Sequence, residues 1–236
     1  MENFMKIIKS VFKWVGIIIW LFLIFVFMQV PAVESTPVYS INSQQQFIEA
    51  FKHVNIPHNI FMMIIFVLLT FVMEWLVCVW LKNKLDFSKK LKQKYLILAI
   101  VAGIFSFILD ILTMPSAFSN ANHPDVFTET LKTPLGVILI LDLILIAPTL
   151  EELLFQASIQ KGVFKNLNSW VAIILTAFIF AGAHNITLNV AFLNRFLSGI
   201  AFGYVYQKTN DIKMPILSHS ISNFLPLIIC CIQAWT

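Results

Sequence analysis

The sequence is 236 residues long, 59% hydrophobic and 12% charged, with a mean hydropathy of +0.85. A soluble domain of that length cannot hide so much apolar surface, so composition excludes the soluble classes and predicts an all-α, polytopic transmembrane helix bundle. The formal charge of +4 comes almost entirely from lysine, which reads as topology information and excludes a nucleic-acid surface.

A span needs about 20 apolar residues. Seven stretches can serve, with one interfacial amphipathic helix after the first. That first stretch, Trp14 to Val33, follows Lys6, Lys9 and Lys13 and has no small-residue cleavage site, so it is expected to be an uncleaved helix and not a signal peptide. Beyond Pro31 and Glu34, Ser43 to Gln46 has the form of a capping box, and Ile41, Phe47, Ile48, Phe51 and Val54 recur at helical spacing. This predicts a helix on the membrane surface, either a tether for a long loop or a lid over substrate access.

The second span, Ile60 to Leu81, carries Glu74 beside Trp75. The loop over 82–94 then collects Lys82, Lys84, Lys89, Lys90, Lys92 and Lys94 and is assigned to the cytoplasm. Span three runs from Tyr95 to Met114, with Asp110 near its outer end, and the loop from Pro115 to Thr133 is expected outside.

Span four, Pro134 to Ile159, is interrupted by Pro148, whose missing N–H frees a carbonyl and is expected to kink the helix beside Glu151 and Glu152. Lys161 and Lys165 mark its cytoplasmic exit. Spans five, six and seven are Trp170 to His184, Val190 to Tyr206 and Met214 to Ile232, with Lys208 and Lys213 again at the cytoplasm. The N-terminus then lies inside and the C-terminus outside, in what the lysine- and asparagine-rich composition suggests is a bacterial plasma membrane. Residues 1–236 read as a single membrane domain, 1–133 giving N-terminal helices and 134–236 the catalytic ones. Cys78, Cys230 and Cys231 show no zinc-type spacing and read as inert buried thiols.

Glu151 and Glu152 are where chemistry is expected. A carboxylate in hydrocarbon costs roughly 3 kcal/mol even on lenient insertion scales, so an adjacent pair marks a functional site. The segments Phe180-Ala-Gly-Ala-His184 and His219-Ser-Ile-Ser-Asn223 add two imidazoles and an amide, the remaining parts of a hydrolytic centre. Adjacent helical residues point about 100° apart, so Glu151, sharing a face with Phe155, and Glu152, sharing one with Gln156, take different roles. His219 and Asn223 are four apart and share a face, which suits a joint hydrogen-bonding role. At ~1.5 Å per residue from the nearest cytoplasmic lysine, Glu151 and Asn223 lie about 15 Å deep and His219 about 9 Å. His184 lies about 28 Å deep if its helix starts at Lys165, so convergence requires an interfacial turn over 166–170 or a strong tilt.

Glu-Glu-x-x-x-Gln, Phe-x-x-x-His and His-x-x-x-Asn, in that order on successive spans, resemble the three motifs of the CAAX-protease and bacteriocin-processing family of intramembrane proteases, also called the Abi family. The likeness covers about 135 to 225, and Gln156 stands where the family's first motif usually has arginine. The resemblance implies a seven- or eight-helix fold and hydrolysis of a peptide bond in a membrane-associated peptide or protein. It further implies that Glu151 and His184 hold and deprotonate a water while His219 and Asn223 hydrogen-bond the oxyanion, with Glu152, Gln156 and Phe180 in support. No cofactor is needed in that scheme. The alternatives are a zinc-dependent protease with His184, His219 and Glu151 as ligands, and a non-catalytic membrane protein that confers bacteriocin immunity by binding. An aspartyl pair of Asp110 and Asp142 lacks the expected glycine context. Histidines at helix ends and an asparagine such as Asn223 also serve as plain interhelical contacts.

Overall fold

The computed structural model describes residues 2–36, 43–83, 85–113 and 126–235. Ile41, Lys84, Met114 and the 115–125 part of the expected outer loop fall outside them. Each expected span is a helical run. Helix α1 (Glu2–Phe27) passes into α2 (Gln29–Glu34), and α3 (Gln44–Lys52) is the short helix predicted from the capping pattern. The Ser43 side chain accepts the Gln46 N–H at 3.3 Å, and Phe47 is buried while Ile48 is exposed, as an amphipathic helix requires.

Helices α4 (Ile56–Trp80), α5 (Gln93–Thr113) and α6 (Val126–Leu131) lead into a continuous run over 135–163. This run alternates between two registers: α7 (Leu135–Leu141), a π-helical segment π1 (Asp142–Ile146), α8 (Ala147–Glu152) and a second π segment, π2 (Leu153–Val163). The bundle closes with α9 (Ser169–His184), α10 (Val190–Thr209) and α11 (Lys213–Trp235).

The stretches Ser10–Glu34, Ile56–Trp80, Gln93–Thr113 and Lys213–Ile232 are long and apolar enough to cross a membrane, and α9 is apolar but shorter. Phe12 is 74% and Leu112 71% exposed, which is unfavourable against water and natural against hydrocarbon. The 135–163 run and α10 are more polar, and Asp142, Glu152, Gln156, Asn194 and Ser198 are buried inside. The result is a helical membrane bundle whose polar elements face one another.

Small residues let the helices approach. Ala99, Ala102, Gly103 and Ser106 form a buried stripe on α5 against α10 and α11. A Cβ on Gly103 would stand 2.6 Å from the Ser218 carbonyl oxygen and 2.7 Å from the Ile221 Cβ, so only glycine permits this crossing. Across the same seam Ser222 Oγ donates to Ser106 Oγ (2.8 Å), which donates to Ser198 Oγ (2.6 Å).

The depth conflict resolves through the turn. Helix π2 carries the fourth span on to Val163, residues 164–168 turn the chain, and the Asn168 side chain caps α9 by accepting the Trp170 N–H at 2.9 Å. Lys165 spends itself on the Leu81 carbonyl at the end of α4 (2.9 Å) and does not begin α9. His184 therefore comes level with Glu151.

Candidate active site

Pro148 shapes the site first. In π1 the N–H of Ala147 reaches five residues back to the Asp142 carbonyl. The same register sets the Leu143 carbonyl opposite Pro148, which has no N–H to give. Asn223 Nδ2 donates to that stranded carbonyl at 2.9 Å. The proline thus frees an acceptor, as expected, and α11 supplies its donor.

Beyond this point the two glutamates part. Glu152 is fully buried, and its Oε1 lies in hydrogen-bond contact with His219 Nδ1 at 2.9 Å. Glu151, with a side chain 16% exposed, directs Oε2 toward both imidazoles, 3.4 Å from His184 Nε2 and 4.0 Å from His219 Nε2. Neither approach is aligned as a hydrogen bond, and Glu151 Oε2 has no hydrogen-bond partner among the described residues.

Both rings are held from behind. His184 Nδ1 lies 2.8 Å from the Phe180 carbonyl oxygen, which can only accept, so Nδ1 carries the proton and Nε2 presents its lone pair when the ring is neutral. The Phe180 ring wedges between the histidines, 4.4 Å from the His184 ring and 6.0 Å from that of His219, with Phe155 edge-on behind it at 5.1 Å. His219 stacks on Phe202 at 4.9 Å and 17°. Stack and carboxylate together leave His219 Nε2 as the nitrogen that faces the centre.

The structure thus brings Glu151, Glu152, His184, His219 and Phe180 together. His219 and Asn223, although they share a face, do not share a partner. The first meets a carboxylate and the second a backbone carbonyl. Gln156 is fully buried beside Glu152, and neither its Nε2 nor its Oε1 has a well-formed hydrogen bond among the described residues. It fits because Gly203 lies opposite, where a Cβ would stand 3.3 Å from Gln156 Oε1 and 2.6 Å from Gln160 Oε1.

One residue escaped the sequence reading. Arg195 is the single arginine of the chain. Its Nη1 lies 3.8 Å from Asp110 Oδ1, and its charge acts on Glu151 and His184. Its side chain is 32% exposed. The available signal was a lone arginine within a span, in a chain that otherwise uses lysine. Asp142, also buried, lies in the field of Glu151, while Asp110 answers to Arg195. An apolar groove of about 500 Å³ between α1, π2 and α9 abuts the centre through Phe155 and Ala183.

Two ligands about 2.1 Å from one tetrahedral zinc lie roughly 3.4 Å apart; Glu151 Oε2 stands 3.4 Å from His184 Nε2 and 4.0 Å from His219 Nε2. Among the described residues no group of three or more His, Cys, Asp or Glu is arranged to hold a metal ion.

Fold and site define a polytopic helical membrane protein with carboxylates and imidazoles gathered between its spans. Residues 133–225 match the family model described as type II CAAX prenyl endopeptidase, Rce1-like. Over this segment, which is less than half of its length, the chain is similar to the CAAX-protease family, a family of peptidases. No curated protein and no solved structure matches the chain.

Proposed function

We propose that the chain is an intramembrane endopeptidase that hydrolyses a peptide bond of a membrane-associated peptide or protein with a water activated by Glu151 and His184. The observation that carries this reading is the convergence of both Nε2 atoms on one oxygen of Glu151, at 3.4 and 4.0 Å. A water beside Glu151 Oε2 and the His184 lone pair meets two acceptors. Its proton passes to one of them as its oxygen adds to the peptide carbonyl carbon. The same proton then goes to the departing nitrogen as the C–N bond breaks.

His219 stabilises the oxyanion from Nε2. Because Nδ1 donates to Glu152, donation from Nε2 requires the doubly protonated ring, and the carboxylate of Glu152 balances that charge. Glu152 is then a positioning residue. Asn223 keeps one amide hydrogen for the centre and uses the other to hold the kink.

The neighbouring apolar groove favours an apolar substrate segment arriving from the bilayer. In a bacterial plasma membrane, N-terminus inside, peptide processing or proteolytic self-immunity to a bacteriocin suits such an enzyme. The test is cleavage of candidate membrane peptides by the detergent-purified chain, wild type beside Glu151→Gln, with and without a strong chelator. The reading expects a loss of about 100- to 10,000-fold in the variant and no chelator effect. Chelator-sensitive cleavage restored by zinc overturns the metal-free chemistry. A Glu151→Gln variant that still protects cells from a bacteriocin makes the cluster a binding site.

A further inference from the structure

A second concave site lies at the lysine-rich end of the bundle, away from the carboxylates. It is a pocket of about 300 Å³ lined by Lys89, Lys90, Lys92, Tyr95, Asn210 and Asp211, with Thr209 at its edge. Three helices stop or start here, two of them apolar enough to cross a membrane: α5 begins at Gln93 and α11 at Lys213, and the more polar α10 ends at Thr209. The pocket therefore sits where hydrocarbon gives way to headgroups. Aromatic residues mark the same level. Tyr95 lies beneath Lys92 and Lys94, and Trp170 stacks on Tyr204 at 5.7 Å, with Lys208 above Tyr204.

Its charge is not cancelled from within. The one acid, Asp211, is buried and lies 3.7 Å from Lys213 Nζ, and its other oxygen accepts the Lys213 backbone N–H at 3.2 Å. Lys89 donates to the Asn210 carbonyl, and Lys161 donates to Asn210 Oδ1 at 2.5 Å, so these two pin the left-handed turn residue at φ 49°. Lys90 and Lys92 make no ion pair among the described residues, and both are exposed. Two exposed ammonium groups with no ion pair among the described residues, an aromatic wall and a pinned turn at headgroup depth match the chemistry of a phosphate ester.

We infer that this pocket binds the phosphate of an anionic phospholipid headgroup. The inference stands independently of the protease reading. It also bears on the site, because the turn the headgroup would brace starts α11, and His219 lies about 9 Å along that helix from Lys213.

The test is the thermal unfolding midpoint of the full-length chain in neutral detergent, titrated with short-chain phosphatidylglycerol, short-chain phosphatidylcholine or inorganic phosphate. Phosphatidylglycerol is expected to raise the midpoint saturably and phosphatidylcholine to leave it unchanged. Lys90→Gln with Lys92→Gln should raise the half-saturating concentration about 25-fold, roughly fivefold per lysine. Lys82→Gln with Lys208→Gln, an equal charge change outside the pocket, should leave it unchanged. Inorganic phosphate that matches phosphatidylglycerol assigns the site to free phosphate, and phosphate without effect assigns it to the lipid. Equal response to both lipids, or an equal loss in the two double variants, overturns the inference.

Discussion

The Glu152–His219 contact decides which nitrogen of His219 is available, and its removal is the sharpest test at the residue scale. Glu152→Gln keeps the volume and loses the charge that balances a doubly protonated ring. Activity should fall by about 10- to 100-fold, the usual cost of losing a supporting partner, while the unfolding midpoint stays close to wild type. A larger fall in the midpoint than in the rate would make Glu152 a structural residue. Arg195 and Asp110 form a second residue-scale unit. Arg195→Gln and Asp110→Asn should each destabilise, and the double variant should cost less than their sum by about 1 kcal/mol, measured as a double-mutant cycle. Strict additivity would mean the 3.8 Å approach carries no energy. The acidic pair and both histidines were legible in the sequence because ionisable groups stand out against hydrocarbon. Their partners were not. Spacing places His219 and Asn223 on one face, but it cannot say that a neighbouring helix offers a carboxylate to the first and a stripped carbonyl to the second.

At the scale of elements, the 135–163 run departs most from its sequence reading. Pro148 announced an interrupted helix, yet nothing in the apolar pattern distinguishes a π register from an α register, since both bury the same residues at slightly different angles. The consequence is testable. Pro148→Ala returns an N–H opposite the Leu143 carbonyl, in competition with Asn223. It should lower activity by about tenfold or more, with stability equal to or above wild type, read as rate and unfolding midpoint on the same preparation. A proline that matters only for folding would give the reverse. Helix α5 makes a separate prediction through its closest crossing. Gly103→Ala places a methyl group 2.6 Å from the Ser218 carbonyl oxygen, and such overpacking should cost about 1–3 kcal/mol, seen as a lower midpoint in detergent. The small-residue stripe was present in the sequence, but its depth of contact depends on a partner helix over a hundred residues away.

The whole molecule was legible at the level of class, because hydropathy directly reports what a bilayer selects, while four of the seven expected spans are helices long and apolar enough to cross a membrane. Relative depth was less so. Counting from Lys165 misplaced His184, since that lysine serves the end of α4 and not the beginning of α9. The orientation proposed from lysine distribution can be checked by single-cysteine labelling in a background lacking Cys78, Cys230 and Cys231. A membrane-impermeant reagent applied to intact cells should label Ile186→Cys, in the exposed turn between α9 and α10, and spare Lys90→Cys. Labelling of both from one side would require a different threading of the chain.

Arg195 has a further use that follows from its rarity. A chain with one arginine is also a chain with one target for dicarbonyl reagents, and that target lies within the electrostatic reach of Glu151 and His184. Its side chain is open enough to react. Stoichiometric modification, followed as a single mass increment on the intact protein, therefore serves as a built-in occupancy reporter. A peptide that seats at the carboxylates should slow the labelling, whether or not it is ever cut.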